Sequence, residues 1–186
     1  DGAAVLLQGV NVPSLEWSPK GENIRRSMKV ALVDWKANAV RLPVSASFWF
    51  GRGKGNVVSN DLAAYRAIVD EAVKLAAGQG AYLILDLHSY GGIKPFGVEF
   101  WADAAARYAN HPAVLFDLWN EPHGITWELW QNGGEKQVID KKTRATNTVQ
   151  LVGMQTLVDT VRAAGAKNII VAGGINYALD LRGILD

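Results

Sequence analysis

Strand-length apolar segments alternate with helical segments along the chain, and this alternation constrains the fold more than any other feature. Each strand leads through a loop toward a helix, which predicts a parallel sheet with right-handed crossovers, an α/β fold. The 186 residues are enough for one sizeable core and short for two, so a single domain over 1–186 is expected. The predicted strands are Val5–Asn11, Ala39–Val44, Tyr82–His88, Ala113–Trp119 and Asn168–Ala172.

Helical spacing of apolar residues predicts the segments between these strands. The most regular stripe begins after Asn60 or Asp61, either of which can cap the helix, and Gly78 and Gly80 end it. Two long loops are expected, 45–60 and 122–142, and loops of this length are usually functional or disordered. The predicted helices are Ile24–Trp35, Leu62–Ala76, Phe100–Tyr108 and Thr148–Ala163.

Polar residues stand at or near the ends of four predicted strands. They are Asn11, Arg41, His88 and the pair Asn120 and Glu121. Because the carboxyl ends of parallel strands meet at one edge, these side chains predict a site on the carboxyl face of a (β/α) barrel.

The Asn120-Glu121-Pro122 sequence interrupts an apolar run abruptly. Pro122 cannot donate to a sheet ladder, and it disfavours helical geometry at Glu121. A carboxyl group at a strand end, beside Trp119, is a plausible proton donor. The alternative is that Asn120 and Glu121 only cap the next turn.

Composition excludes several classes of function. The net charge of +1 gives no indication of nucleic acid or an anionic membrane as a partner. The absence of cysteine excludes disulfides, a thiolate nucleophile and thiolate metal ligation. Seven tryptophans are many for this length, and such rings stack on sugars as readily as they fill cores.

In their order and spacing, these motifs resemble the family-five glycoside hydrolases of clan A, which include many cellulases and mannanases. The resemblance rests on Arg41 in Val-Arg-Leu-Pro, His88 in Leu-Asp-Leu-His and Asn120-Glu121-Pro122. Leu7–Asn11 and Gly173-Gly174 extend it over the whole chain. It implies a (β/α) TIM-type barrel, of which this chain supplies about the first five βα units.

The resemblance also implies roles for individual residues in retaining hydrolysis of β-linked glycans. Glu121 matches the general acid/base, and Asn120 the residue that bonds the 2-hydroxyl of the sugar. His88 matches a residue lining that subsite, and Arg41 the arginine that orients the nucleophilic carboxylate. The residues alone leave other roles open: His88 could be a core histidine, and Arg41 could pair with Asp86 or Asp117.

Aromatic side chains on the predicted loops are the weaker candidates. Trp49, Trp127 and Trp130 could be sugar platforms or packing residues. Tyr177 falls where the family often has a tryptophan, and His123 is a candidate for the leaving-group side of the cleft. No metal or other cofactor is expected, since the histidines, Asp86 and Glu121 form no credible ligand set by spacing.

The chain also departs from the family, because an eight-stranded barrel takes about 250 residues. The family nucleophile lies on the seventh strand, which is not among the predicted strands. A complementary carboxyl-terminal half is therefore expected as a partner, with a β-glucan as the substrate. The leading hypothesis is a secreted endo-β-1,4-glucanase, secretion being inferred from the polymeric substrate.

Three alternatives remain. They are a β-mannanase or other β-glycanase of the same family, a non-catalytic carbohydrate-binding half-barrel, and a sugar-phosphate enzyme. The last ranks lowest, because no glycine-rich phosphate loop follows a late strand.

Overall fold

The computed structural model describes residues 4–52 and 61–184, so residues 53–60 of the first long loop, including Asn60, lie outside the described residues. The chain divides into two compact units that interleave along the sequence. The prediction of a single domain stays a prediction. The first unit is Asp1–His88 with His111–Phe116, and the second is Ser89–Asn110 with Asp117–Asp186.

The first unit carries the beginning of a parallel sheet. Its strands are β1 (Gly9–Asn11), β2 (Ala39–Val44), β3 (Tyr82–Leu87) and most of β4 (Val114–Asp117). Strand β2 pairs in parallel with both β1 and β3, and Asn11 lies opposite Arg41. Its helices are α1 (Ile24–Lys29), which continues as a π-helical turn at Val30–Asp34, α2 (Ala46–Trp49) and α3 (Leu62–Gly78).

Helix α3 follows the sequence prediction closely. The Asp61 side chain accepts a hydrogen bond from the Ala64 N–H at 2.9 Å and so caps the first turn. One face of the helix is buried, and its core residues are Tyr65, Val69, Ala72, Val73 and Ala76. The local sequence pattern was enough to predict this helix, because the regular apolar stripe and the capping residue both indicate it.

The second unit contains three helices, a hairpin and the last strand of the parallel sheet. The elements are α4 (Phe96–Arg107), α5 (Trp127–Asn132), β5 (Gly133–Ile139), β6 (Thr146–Val152), α6 (Met154–Ala163) and β7 (Ile170–Val171). After β4, the Leu118 N–H donates to the carbonyl of Val171 at 3.1 Å. The sheet order is β1-β2-β3-β4-β7, so the five predicted parallel strands are confirmed.

The β5–β6 hairpin was not predicted, and the helix expected over Thr148–Ala163 was wrong in its first part. Helix α6 begins only at Met154, and the residues before it pair antiparallel with β5. The signal was an alternating, β-branched pattern around Val149, which favours a strand. Gly153 permits the turn into α6, because a Cβ there would lie 2.1 Å from the Gln131 carbonyl oxygen.

Other boundaries also differ from the predictions. Only Gly9–Asn11 of the predicted first strand joins the sheet, and only Ile170–Val171 of the fifth. Helix α4 begins at Phe96, earlier than expected, and part of the first long loop forms α2. In the parts of the chain described, no helix is long and apolar enough to cross a membrane.

Candidate active site

A buried carboxylate organises the polar strand ends of the first unit. Asp86 on β3 is fully buried, and its Oδ2 lies 3.0 Å from Arg41 Nη2 and 2.6 Å from His88 Nδ1. The side chains of Asp86 and His88 lie on the same face because residues two apart in an extended chain point the same way. Arg41 Nη1 also donates to Asn11 Oδ1 at 3.4 Å. Asp86 therefore links two of the predicted site residues, Arg41 and His88.

The protonation of this cluster follows from its contacts. Burial raises the pKa of Asp86, while the hydrogen bond from His88 and the charge of Arg41 act in the opposite direction. The guanidinium donates to the same oxygen that His88 contacts, which favours the ionised carboxylate. His88 then donates through Nδ1, so its other ring nitrogen, Nε2, faces away from Asp86. The pairing of Arg41 with Asp86, left open by the sequence, is observed.

Glu121 in the second unit has an unusual main chain. It is half-buried, and its φ of 48° lies in the left-handed region, which is uncommon for a residue with a side chain. Its carbonyl accepts two hydrogen bonds, from the Gly91 N–H at 3.2 Å and from His123 Nδ1 at 2.9 Å. Strained conformations of this kind persist where surrounding contacts hold them, and they are frequent at functional sites.

Tyr177 stacks on the ring of His123 and is presented by a left-handed turn. The two ring centroids are 4.1 Å apart with an angle of 22° between the planes, and the tyrosine is 55% exposed. Asn176, Tyr177 and Ala178 all have φ between 53° and 64°. The Tyr177 N–H donates to the Pro122 carbonyl at 3.0 Å, which ties this turn to the segment following Glu121.

Gly174 is required for the turn, and its replacement by alanine provides a test. A Cβ at this position would lie 2.0 Å from the carbonyl oxygen of Asp180, so the backbone must move. We expect Gly174→Ala to lower the free energy of unfolding by about 2 kcal/mol, or the Tm by about 5 °C. Thermal denaturation followed by circular dichroism measures the change.

Gly78→Ala is the matched control, because nothing lies within 4 Å of a Cβ there and the residue ends helix α3. It should leave the Tm unchanged or raise it slightly. Equal Tm values for the two alanine variants would show that the turn tolerates a Cβ at Gly174.

The predicted tryptophan platforms have different environments. Trp49 is fully buried, and the Arg66 guanidinium lies 4.9 Å from its ring centroid, so it has a packing role. Trp130 is also buried and donates its indole N–H to the Gly173 carbonyl at 2.9 Å. Trp127 is half-buried and packs edge-on to Trp130 at 5.2 Å. Among these tryptophans, Trp127 keeps the most accessible ring.

One residue that holds Glu121, Gly91, was missed from the sequence. Gly91 donates its N–H to the Glu121 carbonyl and accepts the indole N–H of Trp119 at 3.2 Å. Its φ of 75° indicates why glycine suits this position. Asn120, which was predicted, is buried in the segment that follows β4. The Gly91-Gly92 pair after the third strand was the available signal, since glycine marks close backbone approach.

The model of the cellulase family, glycosyl hydrolase family 5, matches residues 1–185. This chain belongs to glycosyl hydrolase family 5. Endoglucanase A of Butyrivibrio fibrisolvens is 26% identical over 100% of the chain and 39% of its own length. Endoglucanase EG-II of Hypocrea jecorina is 32% identical over 61% of the chain and 29% of its own length.

Solved structures of family 5 support the fold. A β-glucanase from Saccharophagus degradans superposes with a TM-score of 0.66 at 25% identity, over 97% of this chain and 52% of the other. The same enzyme is also known in complex with cellotetraose. The chain thus has the fold of part of a family-5 barrel. It spans about half the length of this solved relative and less than half the length of the two endoglucanases.

Proposed function

We propose that the chain forms the acid/base half of a retaining endo-β-1,4-glucanase, with Glu121 as the general acid/base. The observation that carries this proposal is that two hydrogen bonds hold the main chain of Glu121 just after the fourth parallel strand. The chain in which this occurs belongs to family 5. A main chain held in this way gives the side chain of Glu121 a defined point of attachment, which a residue that transfers a proton repeatedly at one position needs.

Hydrolysis proceeds in two steps. In the first, a carboxylate attacks the anomeric carbon while Glu121 gives its proton to the departing glycosidic oxygen, which leaves a glycosyl-enzyme ester. In the second, Glu121 removes a proton from water, the water oxygen attacks the anomeric carbon, and the ester bond breaks. Retention requires the two carboxyl groups to be about 5 Å apart. We propose that the nucleophile comes from the carboxyl-terminal half.

Arg41, His88 and Asn120 are proposed to bind and orient at the cleavage point. The ion pair with Asp86 holds the Arg41 guanidinium at the strand end, where it would orient the nucleophilic carboxylate, a task for which a guanidinium is well suited. His88, oriented by the same carboxylate, would line the subsite. Asn120 would bond the sugar 2-hydroxyl, a contact that strengthens in the transition state.

The exposed ring of Tyr177 and the half-buried ring of Trp127 are the proposed contacts to sugar faces. The substrate is proposed to be a β-1,4-glucan, supported by relatives named endoglucanase. A β-mannanase is the second candidate and shares every catalytic feature. Extracellular action on such a polymer is part of the proposal.

Exposed apolar side chains support a complementary half as the partner. In the first unit, Leu6 and Leu7 before β1 and Trp35 after the π-helical turn are exposed. In the second unit, exposed apolar residues surround β7 and the end of the described chain, and they are Ile169, Val171, Leu179, Leu181 and Ile184. Edge strands with such residues are usually covered. We propose that the remaining strands of the barrel cover them.

The test uses the completed barrel, meaning this chain together with its carboxyl-terminal half. Proton NMR follows the products that this protein forms from cellopentaose. We expect the newly formed reducing end to be the β-anomer at first, with the α-anomer appearing later by mutarotation. Mannopentaose is the comparison substrate, and its preferential cleavage would favour the mannanase. The 186-residue chain alone is the control and should not cleave either sugar. Initial formation of the α-anomer would contradict the retaining mechanism, and cellopentaose binding without cleavage would favour a carbohydrate-binding protein.

A further inference from the structure

We infer that His123 is a positioning residue that fixes the proton-transferring group of Glu121 by holding the glutamate's own carbonyl. This inference rests on the proposed function of Glu121 and adds a residue that acts through it. His123 follows Glu121 by two positions, and its side chain reaches back to the main chain there.

The hydrogen bond settles which nitrogen of His123 carries a proton. A carbonyl oxygen can only accept, so Nδ1 must donate to the Glu121 carbonyl across the 2.9 Å contact. The Gly91 N–H donates to the same oxygen from the loop before α4. Two donors from separate segments thus fix the orientation of this peptide group, with Glu121 held at a positive φ.

The His123 ring is itself held in place. Tyr177 stacks on one face, and the Tyr177 N–H bonds the carbonyl of Pro122, the residue between Glu121 and His123. The chain from Glu121 to His123 is therefore held at two successive carbonyls, the first by the His123 side chain and the Gly91 N–H and the second by the Tyr177 N–H. Rotation of the imidazole would break the bond to Glu121 and the stack on Tyr177 together.

A positioning role predicts a specific kinetic effect. If His123 places the Glu121 carboxyl at the glycosidic oxygen, its loss should matter most when the leaving group needs a proton. A small displacement of a reacting group can reduce a rate by about 100-fold. Cellotetraose has a poor leaving group, whereas 2,4-dinitrophenyl β-cellobioside releases a stable phenolate that needs no acid. A merely structural role would affect both substrates equally.

The experiment compares His123→Ala, His123→Asn and His123→Gln in the completed barrel, with kcat/KM measured on both substrates. This constant reports the first, acid-assisted step. The asparagine amide N–H can take the position of Nδ1, whereas the glutamine amide corresponds to Nε2. We expect alanine and glutamine to lower kcat/KM on cellotetraose about 10- to 100-fold and on the dinitrophenyl substrate less than about threefold. Asparagine should restore most of the cellotetraose activity.

Equal losses on both substrates, or asparagine no better than glutamine, would overturn the positioning role. If His123→Ala does not fold, the asparagine and glutamine variants decide by themselves. Measuring kcat/KM of Glu121→Ala on the same two substrates distinguishes failure of this inference from failure of the proposed function.

If Glu121→Ala shows no dependence on the leaving group, the proposed function fails. If it shows that dependence and the His123 variants do not, only the role of His123 fails.

Discussion

Glu121→Gln in the completed barrel is expected to lower kcat on cellotetraose by about 10²- to 10⁴-fold, the usual contribution of a general acid/base. The amide has nearly the same shape as the carboxyl group but cannot give up a proton to the glycosidic oxygen. Substrate affinity should hardly change, because the side chain still fills its place. Initial rates of reducing-sugar release give kcat, and isothermal titration calorimetry of the variant gives the affinity.

Glu128→Gln is the matched control for this prediction. Glu128 lies exposed in the first turn of helix α5, so the same chemical change there removes one surface charge. Its kcat should stay within about twofold of the original, since surface substitutions of this kind have small effects. A loss of less than tenfold for Glu121→Gln would refute the assignment of Glu121.

Asp86→Ala is expected to cause the largest loss of stability, about 3–5 kcal/mol in the free energy of unfolding. The substitution leaves Arg41 and His88 without the carboxylate that both contact and opens a cavity at a fully buried position. Asp86→Asn should cost less, because the amide oxygen still accepts a hydrogen bond. Urea denaturation followed by tryptophan fluorescence gives the free energies.

Asp159→Ala provides the comparison at the surface. Asp159 is exposed on α6 and accepts one hydrogen bond, from the Gln155 side chain at 2.8 Å. Its removal should change the free energy of unfolding by less than about 0.5 kcal/mol. A similarly small change for Asp86→Ala would mean that the buried cluster contributes little to stability, and the anchoring of Arg41 and His88 would then need another explanation.

The parallel strands and helix α3 were predictable because their signals are local. Each of the five strands has an apolar segment of its own, and α3 has both a regular stripe and a capping aspartate. The β5–β6 hairpin was missed because its strands are largely polar and only partly buried, so the helical pattern that follows outweighed their alternation. Strand pairing decided this segment, and pairing is not a property of one stretch of sequence.

The sequence was enough to predict which polar residues lie at the strand ends, but not which residues they contact. The sequence indicated Arg41, His88, Asn120 and Glu121 as candidates, but it left the partner of Arg41 open between two aspartates. The structure decides that Asp86 binds both Arg41 and His88. It also gives Trp49 a packing role, because the ring is fully buried rather than available to a sugar.

Local sequence patterns were enough to predict the alternating α/β architecture and the residues at the strand ends, and the motifs indicated the family. The way in which Glu121 is held could not be predicted, since it depends on Gly91 and Tyr177 meeting the Glu121–His123 segment from elsewhere in the chain. Periodicity and capping are encoded by near neighbours, whereas a left-handed main chain is stable only when distant groups supply its hydrogen bonds and stacking.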